Sequence, residues 1–159
     1  MVHGIGVDIC RISRMRSHTP DDAFALRFFS DAERLYLEQK NTSLAQTMAG
    51  MYAAKEAFAK ALGTGIRGFS LKEAEVLHDA DGRPFYRITG KALALQHSRS
   101  IDEVLLSISH DGGLAIAHHR DDALLSQDVV KYVLEGIFDL FVFYDRWHWL
   151  SLLHGQRIL

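Results

Sequence analysis

The stretch from Leu44 to Leu62 constrains this chain more than any other. Small and apolar residues recur along it (Ala49, Met51, Tyr52, Ala53, Ala57, Phe58, Ala61, Leu62), and they predict a buried helix. Thr42 or Ser43 stands where such a helix is capped, and Gly63 stands where one ends. Glu56 lies in the middle of it. A charge in such surroundings is expensive unless it is paired or bound to a cation.

The elements around that helix give the fold class. Val2–Ile9 is short, glycine-punctuated and β-branched, which predicts a strand with Asp8 at its end. A short helix over Arg11–Ser17 and another opened by Pro20 follow. Ser30-Asp31-Ala32-Glu33 reads as a capping box for a helix running to about Gln39. Ala74–Leu77 and Phe85–Ile88 read as a hairpin around the turn Asp79–Pro84. Thr89 precedes a short helix over Lys91–Gln96. Val104–Ser109 and Leu114–His118 read as two more strands joined by Asp111-Gly112-Gly113. Antiparallel hairpins and separate helices together predict an α+β fold, with a mixed or antiparallel sheet and one long central helix.

Length and composition set the outer bounds. A chain of 159 residues, 48% apolar and 24% charged, is expected to be globular, which excludes disordered and collagen-like classes. A net charge of −2 carries no basic excess of the kind that marks a nucleic-acid binder. Cys10 is the only cysteine, so no internal disulfide forms. It reads as a buried thiol in a reducing compartment, and the chain is expected in the cytoplasm. No signal peptide is visible. The uncharged run Trp147–Gln156 is far shorter than the roughly 18 residues of a membrane span. The signal changes near Arg120-Asp121-Asp122, which reads as a boundary. Residues 1–120 are expected to form the working domain, and residues 121–159 an aromatic, apolar and helical extension.

Two carboxylates, Asp8 and Glu56, suit a hard cation such as Mg²⁺, which keeps waters and takes phosphate oxygens as further ligands. Lys60 shares a helix face with Glu56, whereas Lys55 points elsewhere. The plain alternative is a solvated Glu56–Lys60 pair. Gly63-Thr64-Gly65-Ile66-Arg67-Gly68 favours the anion reading, because glycines let backbone N–H groups approach a phosphate. No Walker motif occurs, and Gly4-x-Gly6 lacks the third glycine of a dinucleotide loop. Ser107, Ser109 and His110 close a strand with polar groups able to receive phosphates. His118 and His119 point to opposite faces of their strand, which argues against a shared metal. His78, His97, His148 and His154 read as ordinary residues.

Four segments then fall into one pattern: Gly4-Ile5-Gly6-Val7-Asp8-Ile9, Tyr52–Ile66, Asp81-Gly82-Arg83-Pro84 and Ser107-Ile108-Ser109-His110. In order and spacing they resemble the holo-(acyl-carrier-protein) synthases, the small single-domain branch of the 4′-phosphopantetheinyl transferases. The resemblance covers roughly Val2 to His118. It implies a magnesium-dependent transfer, with manganese as substitute, of the phosphopantetheine arm of coenzyme A to a serine of apo acyl carrier protein. Adenosine 3′,5′-bisphosphate would leave. The serine proton would go to Glu56 or to a metal-held water. Asp8 and Glu56 match the metal-binding acids, and Asp8, Glu56 and Lys60 together the catalytic set. Lys60, Gly63, Thr64, Gly65, Arg83, Pro84, Ser109 and His110 match coenzyme-contacting positions. Arg11 and Arg14 match a basic segment that docks the acidic carrier protein. The resemblance also implies a homotrimer, a place in fatty-acid biosynthesis, and no transmembrane segment. The alternative is a coenzyme A or nucleotide-binding module that has lost transfer. Two departures stand out: Asp111-Gly112-Gly113-Leu114 replaces a stretch where the family often has an aromatic, and about forty residues follow the matched core.

Overall fold

The computed structural model describes residues 1–123; the expected helical extension over 121–159 falls almost wholly outside the described residues. Strand β1 (Val2–Arg11) opens the chain, and a 3-10 turn (Ile12–Met15) follows it. Helices α1 (Ala23–Phe28) and α2 (Asp31–Glu38) lead into α3 (Leu44–Ala61), and α4 (Gly90–Ser98) comes later. The remaining strands are β2 (Ala74–His78), β3 (Pro84–Ile88), β4 (Glu103–Asp111) and β5 (Leu114–Asp122). They form two antiparallel sheets, one in the order β1-β5-β4 and one a β2-β3 hairpin. The α+β expectation holds.

Alternation along β1 decides how α3 seats on the larger sheet. Gly6 and Cys10 are buried on its inner face, while Ile5, Val7 and Ile9 are 60%, 46% and 56% exposed on the outer one. A Cβ on Gly6 would lie 1.8 Å from the carbonyl oxygen of Ala57, and one on Gly4 2.5 Å from that of Ala61. Strand backbone therefore rests directly on helix backbone. The two glycines serve close packing, and Ala53, Ala57, Ala115 and Ala117 complete a buried interface of small residues.

Three boundaries differ from expectation. β1 continues past Ile9, pairing Cys10 with Ala115 and Arg11 with Leu114. Asp8 is thus an interior strand residue, and Arg11 belongs to the strand and not to a helix. α1 begins at Ala23, because the Asp22 carboxylate accepts from the N–H of Ala25; Pro20 lies before it. Arg120-Asp121-Asp122 is strand, with Asp121 buried against His119 at 2.6 Å. Pairing across the sheet outweighs the polarity that reads as a linker. The β4–β5 turn needs Gly112 and Gly113, both at positive φ (54° and 80°), as a tight hairpin turn requires.

The Ser30 capping box is present. Its Oγ accepts from Glu33 N–H and a Glu33 oxygen accepts from Ser30 N–H. Glu33 does more than cap. Its other oxygen lies 2.8 Å from Lys55 Nζ, both side chains being fully buried, and accepts from Val76 N–H at 2.7 Å. Lys55 Nζ also donates to the carbonyls of Leu71 and Ala74, 2.8 Å each. Burial pushes the carboxyl of Glu33 up and the ammonium of Lys55 down, so each group leans on its partner for charge. This ion pair ties α2, α3 and β2 together behind the sheet.

Candidate active site

On the opposite side of α3, Lys60 reaches β1. Its Nζ donates to Asp8 Oδ1 at 2.8 Å and to the carbonyl of Val7 at 2.9 Å. Asp8 is largely shielded and Lys60 is half-exposed. One helical turn earlier stands Glu56, half-buried on the same helix face. Tyr52, a turn before that, packs its ring against Phe24 and Phe28, centroids 5.4 Å away in both cases. Burial and then the adjacent Glu56 carboxylate push the Tyr52 hydroxyl up to about 12, so it stays a neutral donor facing that acid. The guanidinium of Arg14 lies close enough to act on both Tyr52 and Cys10. Asp8, Tyr52, Glu56, Lys60 and Arg14 therefore gather around one seam between β1 and α3.

No group of three His, Cys, Asp or Glu side chains able to hold a metal occurs among the described residues. The donor set is two carboxylates, Asp8 and Glu56. That set fits a cation which retains waters and takes the rest of its shell from phosphate oxygens, as Mg²⁺ does. It does not fit a closed structural zinc centre.

Directly beyond α3, Gly63 and Gly65 adopt left-handed backbone (φ 65° and 56°), and nothing lies within 4 Å of a Cβ built on either. The loop is open to an approaching anion. Thr64 Oγ1 donates to the carbonyl of Gly65 at 3.0 Å, bracing it.

A separate cavity of about 220 Å³ lies between α2, α3, the β2–β3 turn and β4. Pro84 and His110 line it, together with Gly50 of α3. Tyr36 and His78 also line it and stack on one another at 4.6 Å, with Lys40 Nζ 4.2 Å from the Tyr36 ring. Burial, then the charge of Lys40, lowers the pKa of His78. His78 carries no motif and sequence reading passes it over; only the fold brings it beside Tyr36. Arg83 is exposed on the same turn, its backbone N–H held by Asp79 Oδ1 at 2.8 Å. Ser109 follows the outer face of the sheet, opposite Ile116, so within one chain it stands on the other face of β4 from His110. Arg11, at the end of β1, and Arg14, in the 3-10 turn after it, are both exposed.

Among known proteins, residues 4–118 match the 4′-phosphopantetheinyl transferase superfamily. A holo-(acyl-carrier-protein) synthase of Alkaliphilus oremlandii is 42% identical over 118 residues, which are 74% of this chain and 96% of that protein. The crystal structure of the holo-(acyl-carrier-protein) synthase of Neisseria meningitidis superposes with a TM-score of 0.68 at 35% identity, covering 77% of this chain and 99% of that one. The synthase of Bacillus anthracis, crystallised in complex with CoA (3′,5′-ADP), superposes with a TM-score of 0.65 at 32% identity over 78% of this chain and 99% of that one.

Proposed function

The chain belongs to the 4′-phosphopantetheinyl transferase superfamily, and from that premise we propose that it moves the phosphopantetheine arm of coenzyme A onto a serine of apo acyl carrier protein, releasing adenosine 3′,5′-bisphosphate. The observation that carries this reading is the seam where Lys60 Nζ meets Asp8 at 2.8 Å, with Glu56 one turn away. A pure coenzyme binder has little need of two carboxylates beside a lysine.

Transfer at a pyrophosphate is chiefly a matter of alignment and charge. A divalent cation held by Asp8 and Glu56, magnesium or manganese, would neutralise the pyrophosphate and polarise the attacked phosphorus. Lys60 contributes fixed positive charge. An ammonium has three donors, and Asp8 and Val7 take two, which leaves the third for a phosphate oxygen. Tyr52 orients the Glu56 carboxylate from one side. The open loop at Gly63, Thr64 and Gly65 offers backbone N–H groups, and the cavity beside Pro84 and His110 takes another part of the coenzyme. Arg11 and Arg14 supply an exposed basic surface for an acidic carrier.

We extend the reading to assembly and setting. Ile5, Val7 and Ile9, with Ile116 beside them on β5, leave an apolar sheet face exposed, which supports a homotrimer closed over that face. Ser109, on the same face, would then meet coenzyme held by a neighbouring copy. Among the described residues no helix is long and apolar enough to cross a membrane. A cytoplasmic place in fatty-acid synthesis fits a carrier-protein substrate. The residues that follow β5 stand as an addition to this transferase unit, since relatives are covered almost end to end by about three quarters of this chain.

Intact-mass measurement tests the function. The full chain is mixed with coenzyme A, Mg²⁺ and an apo acyl carrier protein, with a parallel EDTA sample. A phosphopantetheine gain on the carrier, abolished by EDTA, is the expected result. Coenzyme binding without any gain, across several carriers, would replace the transferase reading with a binding module.

A further inference from the structure

Gly50 stands inside α3, where glycine is disfavoured relative to alanine. Its backbone is ordinary helix, because it is absent from the residues at positive φ, so no special conformation calls for glycine there. What calls for it is a neighbour. A Cβ on Gly50 would lie 2.9 Å from His110 Nε2, 3.3 Å from His110 Cε1 and 3.0 Å from Ile108 Cγ2. The imidazole of His110 is laid into the notch that the missing side chain leaves, and its Nε2 lies 3.2 Å from the carbonyl oxygen of Gln46, one turn back on the same helix. Both Gly50 and His110 border the 220 Å³ cavity.

We propose that Gly50 is a positioning residue for coenzyme binding, and that its lack of a side chain seats the His110 ring on α3 in the orientation that meets coenzyme. The inference rests on the reading of His110 as a coenzyme contact. Of the atoms a Cβ would crowd, the imidazole moves most easily, because His110 is exposed near the end of β4 while Ile108 is held in the sheet. Alanine at position 50 therefore expels the ring and leaves the fold standing. Helix stability and coenzyme affinity move in opposite directions, which a merely structural glycine would not produce.

A double-mutant cycle in the full chain tests this, with steady-state kinetics in coenzyme A and thermal melts for each variant. Gly50→Ala is expected to hold or raise Tm, keep kcat within about twofold and raise the coenzyme KM on the order of tenfold, the size of one lost polar contact. His110→Ala should raise KM to a similar degree, and the double variant no further. If His110→Ala leaves KM unchanged, the reading of His110 is wrong and the proposal falls with it. If His110→Ala raises KM but Gly50→Ala does not, or if the two effects add in full, Gly50 does not act through His110. Should Gly50→Ala not fold, the same comparison is made in an Ile108→Ala background, where the crowding of Ile108 is gone and only the imidazole contact remains.

Discussion

Lys55 and Lys60 stand on the same helix and serve opposite ends. Lys55 is fully buried, and its ammonium donates to Glu33, Leu71 and Ala74, so all three of its donors are spent inside the protein. Lys60 is 51% exposed and spends two, on Asp8 and the Val7 carbonyl. The buried pair is complete and admits nothing. The open pair is incomplete and can trade a contact for a ligand. Burial, more than residue type, separates the lysine that holds the fold from the lysine that serves the reaction.

The sharpest way to break this comparison is to remove the buried cation. Lys55→Met strands the Glu33 carboxylate without its partner and is expected to lower stability by about 3–5 kcal/mol. Urea unfolding monitored by tryptophan-independent circular dichroism would read it, and a loss under about 1 kcal/mol would mean that the pair is not the staple described. The second test makes the same change at the open site. Lys60→Met is expected to shift stability by no more than about 1 kcal/mol, while transfer falls on the order of a hundredfold. Equal stability losses at the two lysines would erase the distinction. Salt separates them more gently. Raising ionic strength to about 1 M shortens the screening length to about 3 Å, which weakens the exposed Asp8–Lys60 pair and leaves the buried one nearly untouched. Denaturation of wild type and Lys60→Met at low and high salt should converge, and parallel curves would count against the pair.

Glu75 and Arg87 form an intermediate case on β2 and β3, with the carboxylate mostly covered and the guanidinium exposed. The hydrogen bond from Arg87, working against partial burial, holds the Glu75 carboxyl below its ordinary value of 4.5. A depressed folded value means stability that is present above pH 4.5 and lost as pH falls through the lower folded value. Glu75→Gln should therefore lower stability at pH 7 and flatten the acid limb of a stability-against-pH curve, the difference from wild type vanishing once pH falls below the folded value. An unchanged acid limb would remove the pair from acid unfolding.

Much of this is legible in the sequence. The helix expected over Leu44–Leu62 runs Leu44–Ala61, and the Ser30–Glu33 box is real, because both signals are local. Asp8 stands out as an acid on a strand, Glu56 as a charge in apolar surroundings and Lys60 by its spacing from Glu56; their roles come from the family resemblance, and the fold brings Lys60 onto Asp8. What stayed hidden depends on contacts between distant segments. Glu33 looks like a cap because its second oxygen meets Lys55 only after α2 packs on α3. Gly4 and Gly6 look like a broken nucleotide loop because the backbone of α3 that presses on them is remote in sequence. Arg120-Asp121-Asp122 looks like a linker because the burial of Asp121 with His119 is set by β1 and α3. Gly50 gives no sign of His110, which arrives from β4.

The most direct measurement compares wild type with Glu56→Gln in two assays at once: carrier modification by intact mass, and coenzyme A affinity by titration calorimetry. Transfer is expected to collapse by on the order of a hundredfold or more, with a much smaller loss of coenzyme affinity and an unchanged melting temperature. A Glu56→Gln chain that modifies the carrier at the wild-type rate would contradict the assignment of the β1–α3 seam as the reacting centre.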